Sequence, residues 1–262
     1  MVKFGFIGAG NMAGAIARGA AKAGYFDEGG AMAFDINSTA TAALEKEYGV
    51  KAAGSAAEVA SACDIVLLGV KPNVIKPVID GLGDLLVGKA VVCIALGWRK
   101  KQLDEALPKG VRVQSVMPNT PCLVGAGMTL FEAETSLTPA ELHFVKGMFE
   151  SIGKVEVLDA KVMGPAGTLT GCGPAFVYMF IEALADGAVY HGVPRDTAYR
   201  LAAQMLMGSA KMVLESGMHP GALKDSVCSP GGSTIRGVDA LEKGAFRATV
   251  MNAIHGPETY GK

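Results

Sequence analysis

Charge is scarce in this sequence and almost cancels. Charged residues make up 19% of the 262, below the roughly 25% usual for globular proteins, and 24 Lys and Arg face 25 Asp and Glu. No cationic field exists to attract nucleic acid or an anionic lipid surface, so partners held by bulk charge are excluded. The cysteines, Cys63, Cys93, Cys122, Cys172 and Cys228, are odd in number and widely spaced, with no CxxC pair. That argues against a disulfide framework and for reduced thiols. The four histidines, His143, His191, His219 and His255, have no metal-ligand spacing among themselves or with cysteine. Long apolar runs are missing too: 64–70 (DIVLLGV) and 90–96 (AVVCIAL) fall far short of the ~20 residues a membrane span needs. No cationic leader with an apolar stretch and cleavage site opens the chain, so a cytoplasmic protein without a membrane partner is expected. There is no internal repeat or low-complexity tract.

What is abundant is apolar side chain and glycine. Half the residues are hydrophobic, so much of the chain is to be buried, in cores or between subunits; 35 glycines without a collagen-like period require tight turns or close backbone approach at many places. Length divided by a typical domain of about 150 residues gives one to two domains. Up to about residue 160, short apolar runs alternate with amphipathic segments, the pattern of a parallel sheet buried on both faces with crossover helices. Strands are predicted at 3–7, 31–35, 64–69, 89–95, 111–116, 127–131 and 154–158, and helices at 11–23, 38–47, 73–82, 99–107 and 138–151. Beyond 160 the strand signals stop, and helices are predicted at 174–190, 195–216, 220–228, 233–243 and 245–255. The domains expected are therefore 1–160, α/β and doubly wound, and 161–262, all-α. The helix at 174–190 is apolar nearly all round, with Glu182 and Asp186 its only charges, which points to burial on several sides, against another subunit.

The strongest local signal is the strand at 3–7 followed by Gly8-Ala9-Gly10-Asn11-Met12-Ala13, a GxGxxA turn opening a helix. Gly8 permits the tight turn, Gly10 lets a diphosphate approach the backbone, Ala13 lets the helix pack on the strand, and free amides at the helix start attract the anion. At the end of the second strand Asp35 stands where a carboxylate binds adenosine ribose hydroxyls and repels a 2′-phosphate. Against this, Asn37, Ser38 and Thr39 offer small donors near a helix start, and Asp35 as a mere helix cap is the plain alternative. NADH and NADPH both stay open on these residues. Gly69-Val70-Lys71-Pro72, Ala95-Leu96-Gly97 and Met117-Pro118-Asn119-Thr120-Pro121 each follow a strand, so together they are expected to wall the nicotinamide half of the cleft.

A second glycine turn, Ser229-Pro230-Gly231-Gly232-Ser233-Thr234, lies between two helices near the C-terminus. Exposed amides, a helix dipole and two hydroxyls suit a small carboxylate; a glycine-rich helix cap is the bland alternative. Here FIGAGNMA at 6–13, VKP at 70–72, MPNTP at 117–121, GCGPAF at 171–176, IEALADG at 181–187 and HPGALKDSVCSPGGSTI at 219–235 together resemble pyrroline-5-carboxylate reductase. The similarity runs along nearly the whole chain, and 219–235 is its most specific stretch. The resemblance implies a Rossmann-type doubly wound sheet followed by an all-α dimerisation domain. It implies reduction of 1-pyrroline-5-carboxylate to L-proline by NADPH or NADH, the last step of proline biosynthesis, in a homodimer that in some relatives builds larger rings.

Carried over position by position, the resemblance gives Gly8, Gly10, Asn11 and Met12 the diphosphate. Val70, Lys71, Pro72, Ala95 and Gly97 would line the cofactor cleft. Ser229, Gly231, Gly232, Ser233 and Thr234 would hold the substrate carboxylate, with the Thr234 hydroxyl near the ring nitrogen. Ser226 and Cys172 depart from the family pattern, standing where some relatives have Asn and where Ser is more usual. Chemically, a protonated cyclic imine already accepts hydride, so orientation dominates and little acid or base is needed. A 3-hydroxy-acid dehydrogenase would carry Lys where this chain has Val177. The same dinucleotide turn would also serve an imine reductase for a different small carboxylate, or a nonenzymatic dinucleotide-binding protein.

Overall fold

The computed structural model describes residues 3–26 and 30–259, with side chains to residue 256. The chain divides into two compact units, the first ending at Gly171 and the second starting at Cys172.

In the first unit eight strands form one sheet in the order β3-β2-β1-β4-β5-β6-β7-β8. They are β1 (Phe4–Ile7), β2 (Ala31–Phe34), β3 (Lys51–Ala52), β4 (Ile65–Leu68), β5 (Ala90–Cys93), β6 (Arg112–Met117), β7 (Gly127–Glu132) and β8 (Gly153–Leu158). Helices α1 (Asn11–Lys22), α2 (Ser38–Tyr48), α3 (Ala56–Ala62), α4 (Pro72–Leu82), α5 (Lys100–Ala106), α6 (Pro139–Glu150) and α7 (Ala160–Gly167) complete it. Alternation along the buried strands sorts two cores. Phe4, Phe6, Ile65 and Leu67 pack with Ile16 of α1 and Phe149 of α6, while Ile7, Val66, Leu68 and Val91 pack with Val59, Ile75, Ile79 and Leu103 of α3, α4 and α5. Each fully buried side chain of this size contributes about 1.5–3 kcal/mol relative to exposure. This is the doubly wound architecture the alternating pattern predicts.

The structure corrects the sequence reading at several points. The sheet is parallel from β3 to β6, but β7 runs antiparallel to β6, with Val116 opposite Phe131. The connection 118–126 is too short for the crossover that a parallel pair needs. Three of the strands and α-helices went unread: β3, at two residues shorter than any periodicity; α3, an alanine-rich turn capped by Ser55, whose hydroxyl accepts from the Glu58 amide at 3.1 Å; and α7, which carries Pro165 and two glycines. The first unit also runs beyond the expected boundary at 160, because α7 folds back on β7: Met163 is buried, and a Cβ on Gly167 would lie 2.3 Å from the Met117 sulfur.

The second unit holds α8 (Gly173–Tyr190), α9 (Arg195–Ser216), α10 (Pro220–Ser226), α11 (Ser233–Lys243) and α12 (Phe246–Thr259). Asp186 pairs with Arg195 across the turn from α8 to α9, Phe180 packs on Phe246 at 5.7 Å between ring centroids, and His219 Nδ1 caps α10 by accepting from the Gly221 amide. Little else is enclosed. Ala185 is the buried residue of α8, Ala198 and Ala202 those of α9, whereas Met179, Leu201, Met205, Met207 and Leu214 are exposed. Among the described residues one helical run, Ala160–Tyr190, is long and apolar enough by length and composition to cross a membrane. Lys161, Glu182 and Asp186 interrupt it, so it does not stand out in the sequence as an unbroken apolar stretch.

Candidate active site

A cleft of about 760 Å³ opens at the carboxyl ends of β1, β2, β4, β5 and β6. Its floor is the turn after β1. Gly8 has φ +100°, and a Cβ there would sit 2.7 Å from the carbonyl carbon and oxygen of Gly69. A Cβ on Gly69 would in turn meet Cβ of Ala13 at 2.6 Å. The loops after β1 and β4 are thus pressed together through Gly8, Gly69 and Ala13, which explains these small residues without any ligand. Gly10 is different. A Cβ there would meet nothing within 4 Å, so its missing side chain leaves open space directly before α1. That helix has no side-chain cap and no acid in its first turn. An uncapped helix start with open space over it is an anion site by its own dipole and amides, and it fits the diphosphate of a dinucleotide.

The predicted residues sort cleanly. Gly8, Gly10, Asn11, Met12, Asp35, Val70, Lys71, Pro72 and Ala95 all line this one cleft. Gly97 and Asn119 are not part of its wall. Gly97, at φ +83°, makes the bend that lets the Trp98 amide reach the Ala95 carbonyl at 3.2 Å. Asn119 is only 8% exposed, and its amide is fully engaged: Nδ2 donates to the Thr170 carbonyl at 3.0 Å and Oδ1 accepts from the Met128 amide at 2.9 Å. It pins α7's exit to β7, and its neighbours Pro118 and Thr120 face the cleft instead.

Trp98, the only tryptophan, escaped the sequence reading. Its indole Nε1 donates to the Pro72 carbonyl at 3.0 Å, while its own carbonyl accepts from the Ser115 hydroxyl at 2.9 Å. The loops after β4 and β5 are therefore latched to each other and to strand β6. A lone Trp directly after a strand-end glycine was the available signal. Cys122 supports the cleft from behind, with its sulfur 3.5 Å from that of Met12. Burial raises its thiol pKa, and burial pushes Cys63 up to about 11 and Cys93 up to about 12. These three thiols are protonated packing groups and not nucleophiles.

At the far end of the chain the structure keeps Ser229 to Thr234 in one turn. Gly231 is left-handed at φ +69°, and the Gly232 amide closes back on the Ser229 carbonyl at 3.0 Å. Gly232 then opens α11, which has no side-chain cap and no acid in its first turn. The hydroxyls of Ser233 and Thr234 are exposed at that helix start. The turn offers donors to an anion of carboxylate size.

Comparison with known proteins bears on both regions. Residues 145–258 match the family described as pyrroline-5-carboxylate reductase dimerisation, and residues 3–97 match NADP oxidoreductase coenzyme F420-dependent. The chain is 45% identical over 253 residues to a pyrroline-5-carboxylate reductase of Escherichia coli (strain K12), covering 96% of this chain and 94% of that protein. It is 42% identical to one from Pisum sativum, covering 95% and 91%. A crystal structure of Plasmodium falciparum pyrroline carboxylate reductase with NADP bound superposes with a TM-score of 0.88 at 34% identity, covering 98% of this chain and 95% of that one.

Proposed function

Because the chain belongs to the pyrroline-5-carboxylate reductase family, we propose that it reduces 1-pyrroline-5-carboxylate to L-proline with a reduced nicotinamide dinucleotide, closing proline biosynthesis. The observation that carries the reading is the open space over Gly10 at an uncapped helix start, inside a cleft walled by five strand-end loops. The dinucleotide, when bound, supplies a hydride from its nicotinamide C4. The residues Gly8, Gly10, Asn11 and Met12 hold the diphosphate, Asp35 the adenosine end, and Val70, Lys71, Pro72 and Ala95 the remaining wall. The loop from Ser229 to Thr234 fixes the substrate carboxylate with its amides and hydroxyls. With the ring nitrogen protonated, C5 is an iminium carbon that accepts hydride directly, so the protein's work is orientation. The Thr234 hydroxyl hydrogen-bonds the nitrogen and holds the ring for attack.

The working form is a homodimer, as the dimerisation family of residues 145–258 implies. We read the apolar faces of α8 and α9 as covered by a second copy and not by lipid, and the protein as cytoplasmic with no nucleic-acid partner. Such dimers can assemble further into a larger ring through additional contacts outside the two-fold interface. The test is dinucleotide oxidation on adding 1-pyrroline-5-carboxylate, with L-proline identified as product. Absence of turnover with both NADH and NADPH overturns the proposal. Thr234→Ala is expected to lower kcat about 10- to 100-fold, the worth of one hydrogen bond to a charged group, with dinucleotide Kd unchanged. Unaltered kcat removes Thr234 from the mechanism.

A further inference from the structure

The corner where β2 gives way to α2 decides which dinucleotide the cleft prefers. A carboxylate placed there accepts hydrogen bonds from the adenosine ribose hydroxyls, whereas a 2′-phosphate calls for cationic or unoccupied donors. In this chain Asp35 Oδ2 accepts from the Ala9 amide at 2.6 Å and Oδ1 from the Asn37 amide at 2.8 Å. The carboxylate is thus fastened between the diphosphate turn and the start of α2, with no freedom to swing away from an incoming phosphate.

The donors that would hold a phosphate at α2 are largely taken. The Asn37 amide serves Asp35, the Thr39 amide is capped by Asn37 Oδ1 at 3.2 Å, and the Ala40 amide bonds the Asn37 carbonyl at 3.1 Å. The Ser38 amide and the neutral hydroxyls of Ser38 and Thr39 do not offset a full carboxylate charge. No Lys or Arg forms an ion pair with Asp35 among the described residues. The first cation after Asp35 in the chain is Lys46, in the last turn of α2 and about 12 Å along the helix from its start. Lys71 leaves β4, two strands away from β2 at about 4.8 Å each. The neighbouring α3, whose first residue Ala56 lines the cleft, adds another acid, Glu58, which accepts from the Gly54 amide at 2.7 Å. Among the described residues neither Asp35 nor Glu58 is paired with Lys or Arg.

We propose that this chain selects NADH over NADPH, with Asp35 as the residue that sets the preference by binding the free ribose hydroxyls and repelling the 2′-phosphate. The proposal rests on the dinucleotide reading above and adds to it a choice that a relative crystallised with NADP leaves open.

Equilibrium titration of the full-length protein with NADH and with NADPH, by calorimetry without substrate, is the test, with kcat/KM for both as a second readout. NADH is expected to bind at least tenfold more tightly, and the gap is expected to narrow as salt rises, because screening weakens a charge-charge repulsion. Asp35→Asn keeps an oxygen for the Ala9 amide and removes the charge. It is expected to cut the discrimination at least tenfold and to abolish its salt dependence. Tighter or equal NADPH binding by the unaltered protein overturns the proposal, as does a discrimination unchanged in Asp35→Asn. Should that variant not fold, the salt dependence of the unaltered protein still decides. Binding of neither dinucleotide removes the reductase reading itself, an outcome distinct from tight NADPH binding, which removes only the preference.

Discussion

The two units of this chain solve the burial problem in opposite ways. In the first, β1, β4 and β5 are enclosed on both faces, so the sheet and its helices bury their own apolar surface. In the second, α8 is apolar almost throughout yet buries one residue, and α9 exposes Leu201, Met205, Met207 and Leu214. An exposed apolar surface of that extent marks a place where another protein sits; residues 145–258 match a dimerisation family, which supports the proposal above that the occupant is a second copy. The first unit buries its apolar surface internally, whereas on the proposed dimer the second buries its own against a partner.

That contrast is broken most severely at Gly8. Alanine there would be forced into φ +100° with its Cβ 2.7 Å from backbone atoms of Gly69, and a strained dihedral plus a backbone clash costs about 3 kcal/mol or more. Gly8→Ala is expected to lower the melting transition of the first unit and abolish dinucleotide binding. Gly10→Ala, whose Cβ meets nothing, is expected to leave the melting temperature unchanged while weakening dinucleotide binding at least tenfold. Equal thermal destabilisation by both would mean that Gly10 is structural and that the dinucleotide lies elsewhere.

Charging the second unit comes next. Leu201→Glu with Met205→Glu places two carboxylates one turn apart on the exposed face of α9. Light scattering coupled to gel filtration is expected to show a monomer, turnover is expected to fall by more than tenfold, and dinucleotide binding is expected to survive because the first unit encloses its own core. A charged variant that stays dimeric would place the interface on another face.

How much of this was legible in the sequence follows the same division. The GAGNMA turn, the strand-end loops and all five helices of the second unit could be read, because glycine at a forced turn and a helical period leave local marks. Asn119 is placed in the cofactor wall by its strand-end position, and Gly97 by position together with the family resemblance. Which way an amide turns is decided by partners such as Thr170 and Met128, the first of them remote in the chain. The antiparallel β7 was missed because its direction is written in the length of a connection and not in the strand itself, and α3 because a run of alanines has no amphipathic contrast. Asp35 was legible as a residue but not as a choice: only the structure ties both its oxygens to backbone amides.

Trp98 offers a subtler probe of the first unit. Trp98→Phe keeps an aromatic ring and removes the donor to the Pro72 carbonyl, a loss of about 1 kcal/mol. Since the latch spans two loops of the cleft, the Michaelis constant for the dinucleotide is expected to rise several-fold with kcat little changed. An unchanged Michaelis constant with a lowered melting temperature would confine Trp98 to folding.

The smallest effect expected concerns pH, and it again separates the units. Glu141 of α6 caps its own helix by accepting from the Thr138 amide and takes a forked hydrogen bond from Arg112, with Nε at 2.9 Å and Nη2 at 2.6 Å. The Arg112 hydrogen bonds hold its carboxyl below the usual value near 4.5. A group whose pKa is lower folded than unfolded adds stability above its unfolded value, and that contribution disappears as pH falls from about 4.5 through the folded value. The first unit should therefore lose melting temperature on acidification through this range, and Arg112→Gln should flatten that part of the profile while lowering the plateau at neutral pH. Both charges keep some solvent contact, so the plateau is expected to fall by only about 1 kcal/mol. If the variant retained the full acid-induced drop, Glu141 would not be its source.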